Sequence, residues 1–271
     1  MIRDITIGQY YPADSPLHKM DPRVKLFATV IYVIALFCFK GIVGISLITG
    51  FLYFVIKTSK VPFKFMTKGL KAIVVLVIIT SVFNLFATPG DIVFWKWGSL
   101  QITDKGIINS VLMTIRLVYL ILGTSLMTLT TTPNQLTNGL ETALAPLNKM
   151  NVPVHSIAMM MSIALRFIPI LIEETDKIMK AQMARGADFE SGNLVQKAKA
   201  MVPLLVPLFV SAFRRAEDLA MAMEARCYNG GEGRTKMKPL KYTQDDYKAY
   251  AIVIMFLIAV IVAAIFVPFP Q

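Results

Sequence analysis

The stretch Pro153–Tyr228 reads PVHSIAMMMSIALRFIPILIEETDKIMKAQMARGADFESGNLVQKAKAMVPLLVPLFVSAFRRAEDLAMAMEARCY. It holds two long helical patterns that end almost alike, the first Ala184-Arg185-Gly186 and the second Ala225-Arg226-Cys227. Arg226 lies 41 positions after Arg185, room for a turn and one helix of about nine turns at 3.6 residues each. Ordinary C-capping explains one such ending, because glycine takes the left-handed turn and a cation offsets the negative end of the helix. It explains a matched pair less well, since the second ending lacks the glycine yet keeps Ala-Arg and the acidic and Met-rich residues before it.

Composition places this pair in a membrane. The chain has 271 residues, 55% of them hydrophobic, with 16 Met and 17 Phe, too apolar for a soluble domain. Its net charge of +11 does not point to nucleic acid, because the cations sit between apolar runs in the manner of cytoplasmic loops. Only Cys38 and Cys227 occur, which rules out a disulfide framework and a cysteine zinc site. The N-terminus has no signal-peptide pattern.

Working outward from the pair, residues 1–23 are polar and broken by Pro12, Pro16 and Pro22, a turn-rich segment expected at the cytoplasmic surface. Apolar runs follow at Val24–Phe39 and Ile42–Ile56, each short for a span unless Lys25, Lys40 and Lys57 snorkel. Lys57–Lys71 carries five lysines and no acid, a strong inside signal. A third run covers Ala72–Ala87. Thr88–Lys105 reads as an external loop with Trp95 and Trp97 in the interface. The fourth run, Gly106–Thr130, contains Arg116, which is expected to face protein rather than lipid. With five spans, the last being Ala249–Val267, and the N-terminus inside, 24 of 28 Lys and Arg fall on the inner side.

The inside segment Thr131–Lys248 contains two more apolar stretches, Ile157–Ile172 and Pro203–Phe213. The second is too short to cross and Arg166 interrupts the first, so helices in or near the interface are expected, further spans being the alternative. Thr132-Pro133-Asn134-Gln135 is a capping box with proline at the first helical position, and Pro146 ends the helix it opens. Pro203 and Pro207 are expected to bend the last helix of the stretch, and Asn229-Gly230-Gly231 to terminate it. The methionines at 159, 160, 161, 179, 183, 201, 221 and 223 fit either core filling or an adaptable surface for differently shaped partners.

Chemistry of the chain's own is not in view. His18 and His155 have no Cys or His neighbour at ligand spacing, so no metal site is expected. The sequence contains no phosphate-binding P-loop, so any ATP used would be hydrolysed by another subunit. Glu173 and Glu174 lie about 100° apart on a helix and read as a solvated face. Neither catalytic residues nor a cofactor is expected. A membrane enzyme would need a cluster of reactive groups at one depth. A self-contained secondary transporter or channel would need repeats and ionisable residues at the midplane, and Arg116 is the one clear candidate.

Four runs carry a resemblance: Thr131-Thr132-Pro133-Asn134-Gln135-Leu136-Thr137, Arg166-Phe167-Ile168-Pro169, Gln182-Met183-Ala184-Arg185-Gly186-Ala187 and Met223-Glu224-Ala225-Arg226. In this order, after four apolar runs, they make nearly the whole chain similar to the transmembrane T-component of energy-coupling factor transporters. The resemblance implies an all-α polytopic membrane protein of about five transmembrane helices plus long coupling helices that cross. It implies two ABC-type ATPases docked at the two tips, with Ala184, Arg185, Gly186, Ala225, Arg226 and Cys227 as contacts. It further implies one or several substrate-binding S-components on a surface that includes Met160 and Leu205, serving vitamin or micronutrient uptake across the cell membrane. On this reading residues 1–130 form an N-terminal membrane domain, 131–231 the coupling-helix domain, and 232–271 a linker and last span. Cys227 departs from the family, which has glycine there, so Asn229 or Gly230 is expected to supply the second left-handed turn.

Overall fold

The structure, a computed structural model, describes residues 10–39, 41–90, 93–97, 100–189, 193–230, 237 and 239–266. Its described residues divide into two compact units, one from residues 10–139 and 240–266, the other from residues 140–239.

In the first unit, α1 (Pro16–Lys19) and α2 (Pro22–Cys38) are capped by Ser15 and Asp21, and each begins with proline. There the missing N–H costs nothing and the fixed φ suits the helix. Next come α3 (Gly41–Ser59), α4 (Phe63–Ala87), a hairpin of β1 (Val93–Trp97) and β2 (Leu100–Thr103), and α5 (Asp104–Thr130). The strands pair antiparallel, with Trp97 opposite Leu100. The placement expected for the Trp95 and Trp97 indoles lies outside the described residues. α9 (Gln244–Phe266) completes the unit. Leu36, Ile48, Met66, Leu126, Phe256 and Val260 lie at its core.

Small residues let these helices approach closely, as expected where lipid rather than water surrounds them. Ser81 and Ser110 join α4 to α5 through hydroxyls 2.7 Å apart, and a methyl on Gly106 would sit 2.8 Å from the Leu85 carbonyl oxygen. A methyl on Gly123 would fall 2.1 Å from the ring of Tyr32, whose hydroxyl donates to the Tyr119 carbonyl at 2.9 Å. Arg116 stacks over Phe39 at 4.9 Å and over Phe37 at 5.8 Å. As expected, it faces protein.

A buried polar knot ties the N-terminal segment to α5 and α9. Asp246 accepts from the Asp21 N–H at 2.9 Å and from the N–H and hydroxyl of Thr243, both at 2.8 Å. Asp21 grips Arg23 through both carboxylate oxygens, at 3.0 and 2.7 Å, and Arg23 lies 3.9 Å above the Tyr242 ring. Lys25, buried, donates to the carbonyls of His18 and Thr130. Sequence patterning reads residues 1–23 as turn-rich surface, because the Asp246 and Thr130 partners lie 225 and 105 positions away in the chain.

Between the units runs α6 (Pro133–Leu144), opened by the expected box: Gln135 Oε1 accepts from the Thr132 N–H at 3.1 Å and Thr132 Oγ1 from the Gln135 N–H at 3.3 Å. In the second unit a 3₁₀ turn, Ala145–Met150, and left-handed Asn151 lead to α7 (Val154–Ala184). His155 Nδ1 donates to Glu141 at 2.9 Å, tying the start of α7 to α6. α8 (Leu194–Glu224) follows, with Gln196 Oε1 accepting from the Asn193 N–H at 3.0 Å.

By length and composition, four helices among the described residues could cross a membrane: α3, α5, α7 and α9, with Ile73–Ala87 a shorter apolar stretch. The charge-based layout differs at three helices, since α4, expected to span, contributes only the shorter stretch Ile73–Ala87. α7, expected in or near the interface, qualifies because Arg166 is the only Lys, Arg, Asp or Glu between Val154 and Ile172. α2, expected to span, has 17 residues, about 25 Å at 1.5 Å each against ~30 Å of hydrocarbon. α4 begins within the lysine-rich segment, since lysine is a good helix former and its charge does not stop a helix.

Candidate functional site

The two Ala-Arg tips have one backbone geometry. At the end of α7 the Arg185 N–H donates to Gln182 O, Gly186 to Met183 O and Ala187 to Gln182 O, each at 3.0 Å. At the end of α8 the Arg226 N–H donates to Met223 O at 3.1 Å, Cys227 to Glu224 O at 2.8 Å and Tyr228 to Met223 O at 3.0 Å. Residue by residue, these are the same three bonds moved 41 positions along the chain. Both close a Schellman turn, in which a left-handed residue satisfies the last helical carbonyls. Gly186 takes φ +88° and Cys227 takes φ +55°.

The expectation that Asn229 or Gly230 supplies the second turn is thus overturned. Cys227 adopts the left-handed conformation itself, because the hydrogen bonds from Cys227 and Tyr228 hold it there against the crowding of its Cβ. α8 stops at Glu224 rather than at Asn229. Gly230, at φ +82°, is a second left-handed residue beyond the tip.

Arg185, Gly186, Arg226 and Cys227 are exposed. Among the described residues, neither arginine side chain has an intramolecular hydrogen-bond or ion-pair partner. Each tip therefore presents five uncommitted N–H donors in a planar fork. Ala184 and Ala225, also exposed, leave room beside each fork for a close-fitting wall.

α7 and α8 pack against each other, and Arg215 donates to Glu174 at 2.9 Å where they meet. This pair too is separated by 41 positions. From it, Arg185 and Arg226 each lie 11 residues further on, about 16 Å of helix at 1.5 Å per residue. Two equal arms thus extend from a common tie. Glu174, read from sequence as part of a solvated face, is half-buried in this pair, while Glu173 is exposed. The repeat of the 41-residue offset was the available signal.

The methionines are mostly surface. Met160, Met161, Met183, Met201 and Met221 are all exposed, as is Leu205, so core filling does not account for them. On α8, Val202, Val206, Phe209, Val210 and Phe213 are exposed as well, at helical spacings that put them along one side. No group of three or more His, Cys, Asp or Glu able to hold a metal occurs among the described residues.

A family model described as cobalt transport protein, CbiQ, matches residues 13–237. The energy-coupling factor transporter transmembrane protein EcfT of Clostridium kluyveri is 57% identical over 250 residues, 92% of this chain and 93% of its own. The chain belongs to the CbiQ/EcfT family. The EcfT of Ruminiclostridium cellulolyticum is 52% identical over 261 residues, 96% of this chain and 97% of its own, and that of Bacillus subtilis 48% over 246 residues, 91% and 93%. Family membership and the four long apolar helices make the chain a multi-pass membrane protein, the transmembrane component of a transporter. In this EcfT-family chain the paired tips fall inside the matched region.

Proposed function

We propose that the chain is the membrane scaffold of an energy-coupling factor importer, transmitting the motion of two ABC-type ATPases to a substrate-binding S-component that takes up a vitamin or similar micronutrient. One observation carries this reading: two exposed, unpartnered arginines on hydrogen-bonded tips of one geometry, at equal distances from the Glu174–Arg215 tie. Paired tips suit paired subunits. An arginine seated at an interface centre typically contributes ~2 kcal/mol or more on truncation, and the helix behind it moves with it as a rod. Ala184, Gly186, Ala225 and Cys227 shape the contact.

The exposed methionine and aromatic faces of α7 and α8, with Met160 and Leu205, are the surface for the S-component, and unbranched thioethers allow several such partners. The lysine-rich start of α4 and the arginine tips support an N-terminus and coupling helices on the cytoplasmic side of the cell membrane. The division into a membrane domain (1–130), a coupling domain (131–231) and a C-terminal linker and span (232–271) belongs to the same proposal. ATP is hydrolysed in the partner chains.

Purification of the full chain from its own cells tests the assembly. Two ABC-type ATPases and at least one small membrane protein are expected to accompany it. Recovery of an active transporter consisting of this chain alone would overturn the proposal.

A further inference from the structure

Inside the first unit lies a cavity of about 300 Å³ that the coupling mechanism does not use. Four long helices each contribute a face about seven residues long, Lys25 to Tyr32 on α2, Phe51 to Thr58 on α3, Gly123 to Thr130 on α5 and Asp245 to Val253 on α9, and Pro16 and Leu17 of α1 with Met20 complete the wall. At 1.5 Å per residue these faces run about 10 Å along the helix axes. The polar members Lys25, Thr58, Thr130, Asp245 and Lys248 gather at one end, and the rest of the lining is apolar apart from Thr29 and the Tyr32 hydroxyl. Exposed Phe54 and Ile252 border the opening, toward α3 and α9. Further along, the Phe51 and Phe256 rings stack at 4.0 Å and bring these two helices together again.

Nearly every polar group in the lining is already committed. The hydroxyls of Thr29, Thr58 and Thr130 donate to carbonyls of their own helices, and that of Tyr32 to Tyr119 O. Lys248 pairs with Asp245 at 2.9 Å. Lys25 differs. It is 5% exposed, and its ammonium donates to His18 O at 3.2 Å and Thr130 O at 2.9 Å, which leaves one of its three hydrogens without a partner among the described residues. A buried cation with an unspent donor at the mouth of an apolar slot needs an oxygen acceptor attached to a hydrocarbon tail.

We propose that this cavity holds one acyl chain of a bilayer phospholipid, entering sideways between α3 and α9, with an ester or phosphate oxygen accepting from Lys25. The chemistry fits on both counts: exposed apolar side chains of α3 and α9 border the opening, and the spare Lys25 donor stands at the polar end of the slot.

Native mass spectrometry of the full chain, purified from membranes in a mild detergent, tests this. The wild type is expected to retain one phospholipid after delipidation that strips the annular shell. Ala249→Phe, which fills the opening, should lower retention by about tenfold or more, as should Lys25→Met. Ile265→Phe, on an exposed face of α9 away from the cavity, should retain the lipid. If Lys25→Met does not fold, Ala249→Phe decides alone. No retained phospholipid in the wild type, a free fatty acid or detergent as the only bound mass, or unchanged retention in Ala249→Phe would each overturn the proposal.

Discussion

At the residue scale, Cys227 is the informative position. A residue with a Cβ pays roughly 1–2 kcal/mol to sit in the left-handed region, and Cys227 does so at φ +55° to keep the tip in the same form as the first. Cys227→Gly is therefore expected to raise thermal stability slightly and leave transport intact. Gly186→Ala should do the reverse, because no atom lies within 4 Å of the added methyl and backbone strain at φ +88° acts alone. Thermal unfolding in detergent reads both. Since the tips share their hydrogen bonds, Arg185→Glu and Arg226→Glu are expected to impair transport to a similar degree. His18 carries the pH dependence. Burial holds its pKa below the ordinary histidine value, and its neutral ring fits the site, with Nε2 donating to Tyr11 O at 3.0 Å and Nδ1 2.7 Å from the Ser15 hydroxyl. The unfolded chain binds the proton more readily, so stability is fully present above about pH 6.5 and declines as pH falls below it. His18→Gln should flatten that decline in unfolding scans between neutral and mildly acid pH; an unchanged slope would remove His18 as its source.

At the element scale, close helix packing and the tie between α7 and α8 make separate claims. Gly123→Ala would drive a methyl into the Tyr32 ring, which is pinned by its hydroxyl, and overpacking of this kind costs roughly 1–3 kcal/mol. Gly50→Ala, with nothing within 4 Å, is the matched control and should be neutral or stabilising. The Glu174–Arg215 pair is part-exposed, with side chains 28% and 37% accessible, so its net worth is at most about 1 kcal/mol. Its value lies in position. Reversing either charge should reduce transport more than stability, and exchanging both residues should restore part of the loss. What was legible here divides by the range of the interaction. The capping box at Thr132 and the two arginine-bearing helix ends come from local spacing and were readable. The Asp21–Asp246 knot and the Lys25 bond to the Thr130 carbonyl depend on partners brought together by folding, and no local pattern announces them; the left-handed Cys227 is a local turn made at a residue type that rarely adopts it.

At the scale of the whole molecule, hydropathy and charge sufficed for an all-helical membrane protein, but not for the role of each apolar run. α7 is long and apolar enough to cross, because a single internal arginine counts for less than the length of apolar helix around it, while α2, with 17 residues, is at the short end of spanning length. Sidedness is the next test. In a background without Cys38 and Cys227, cysteines at Lys57 and Asp188 should resist an impermeant thiol reagent applied to intact cells, whereas one at Pro89 should react; labelling at position 188 from outside would invert the assigned topology. The central claim is that Arg185 and Arg226 are the contacts through which ATPase motion reaches the membrane. Reversing both charges replaces two donor forks with repulsion and should abolish docking if the partner grooves are acidic or lined with carbonyls. The most direct measurement is ATP-driven uptake by the complete transporter in vesicles carrying Arg185→Glu and Arg226→Glu together, read beside recovery of the ATPases on purification. The account predicts loss of uptake and of the bound ATPases with the chain still folded and inserted. Uptake at the wild-type rate by that double variant would contradict it.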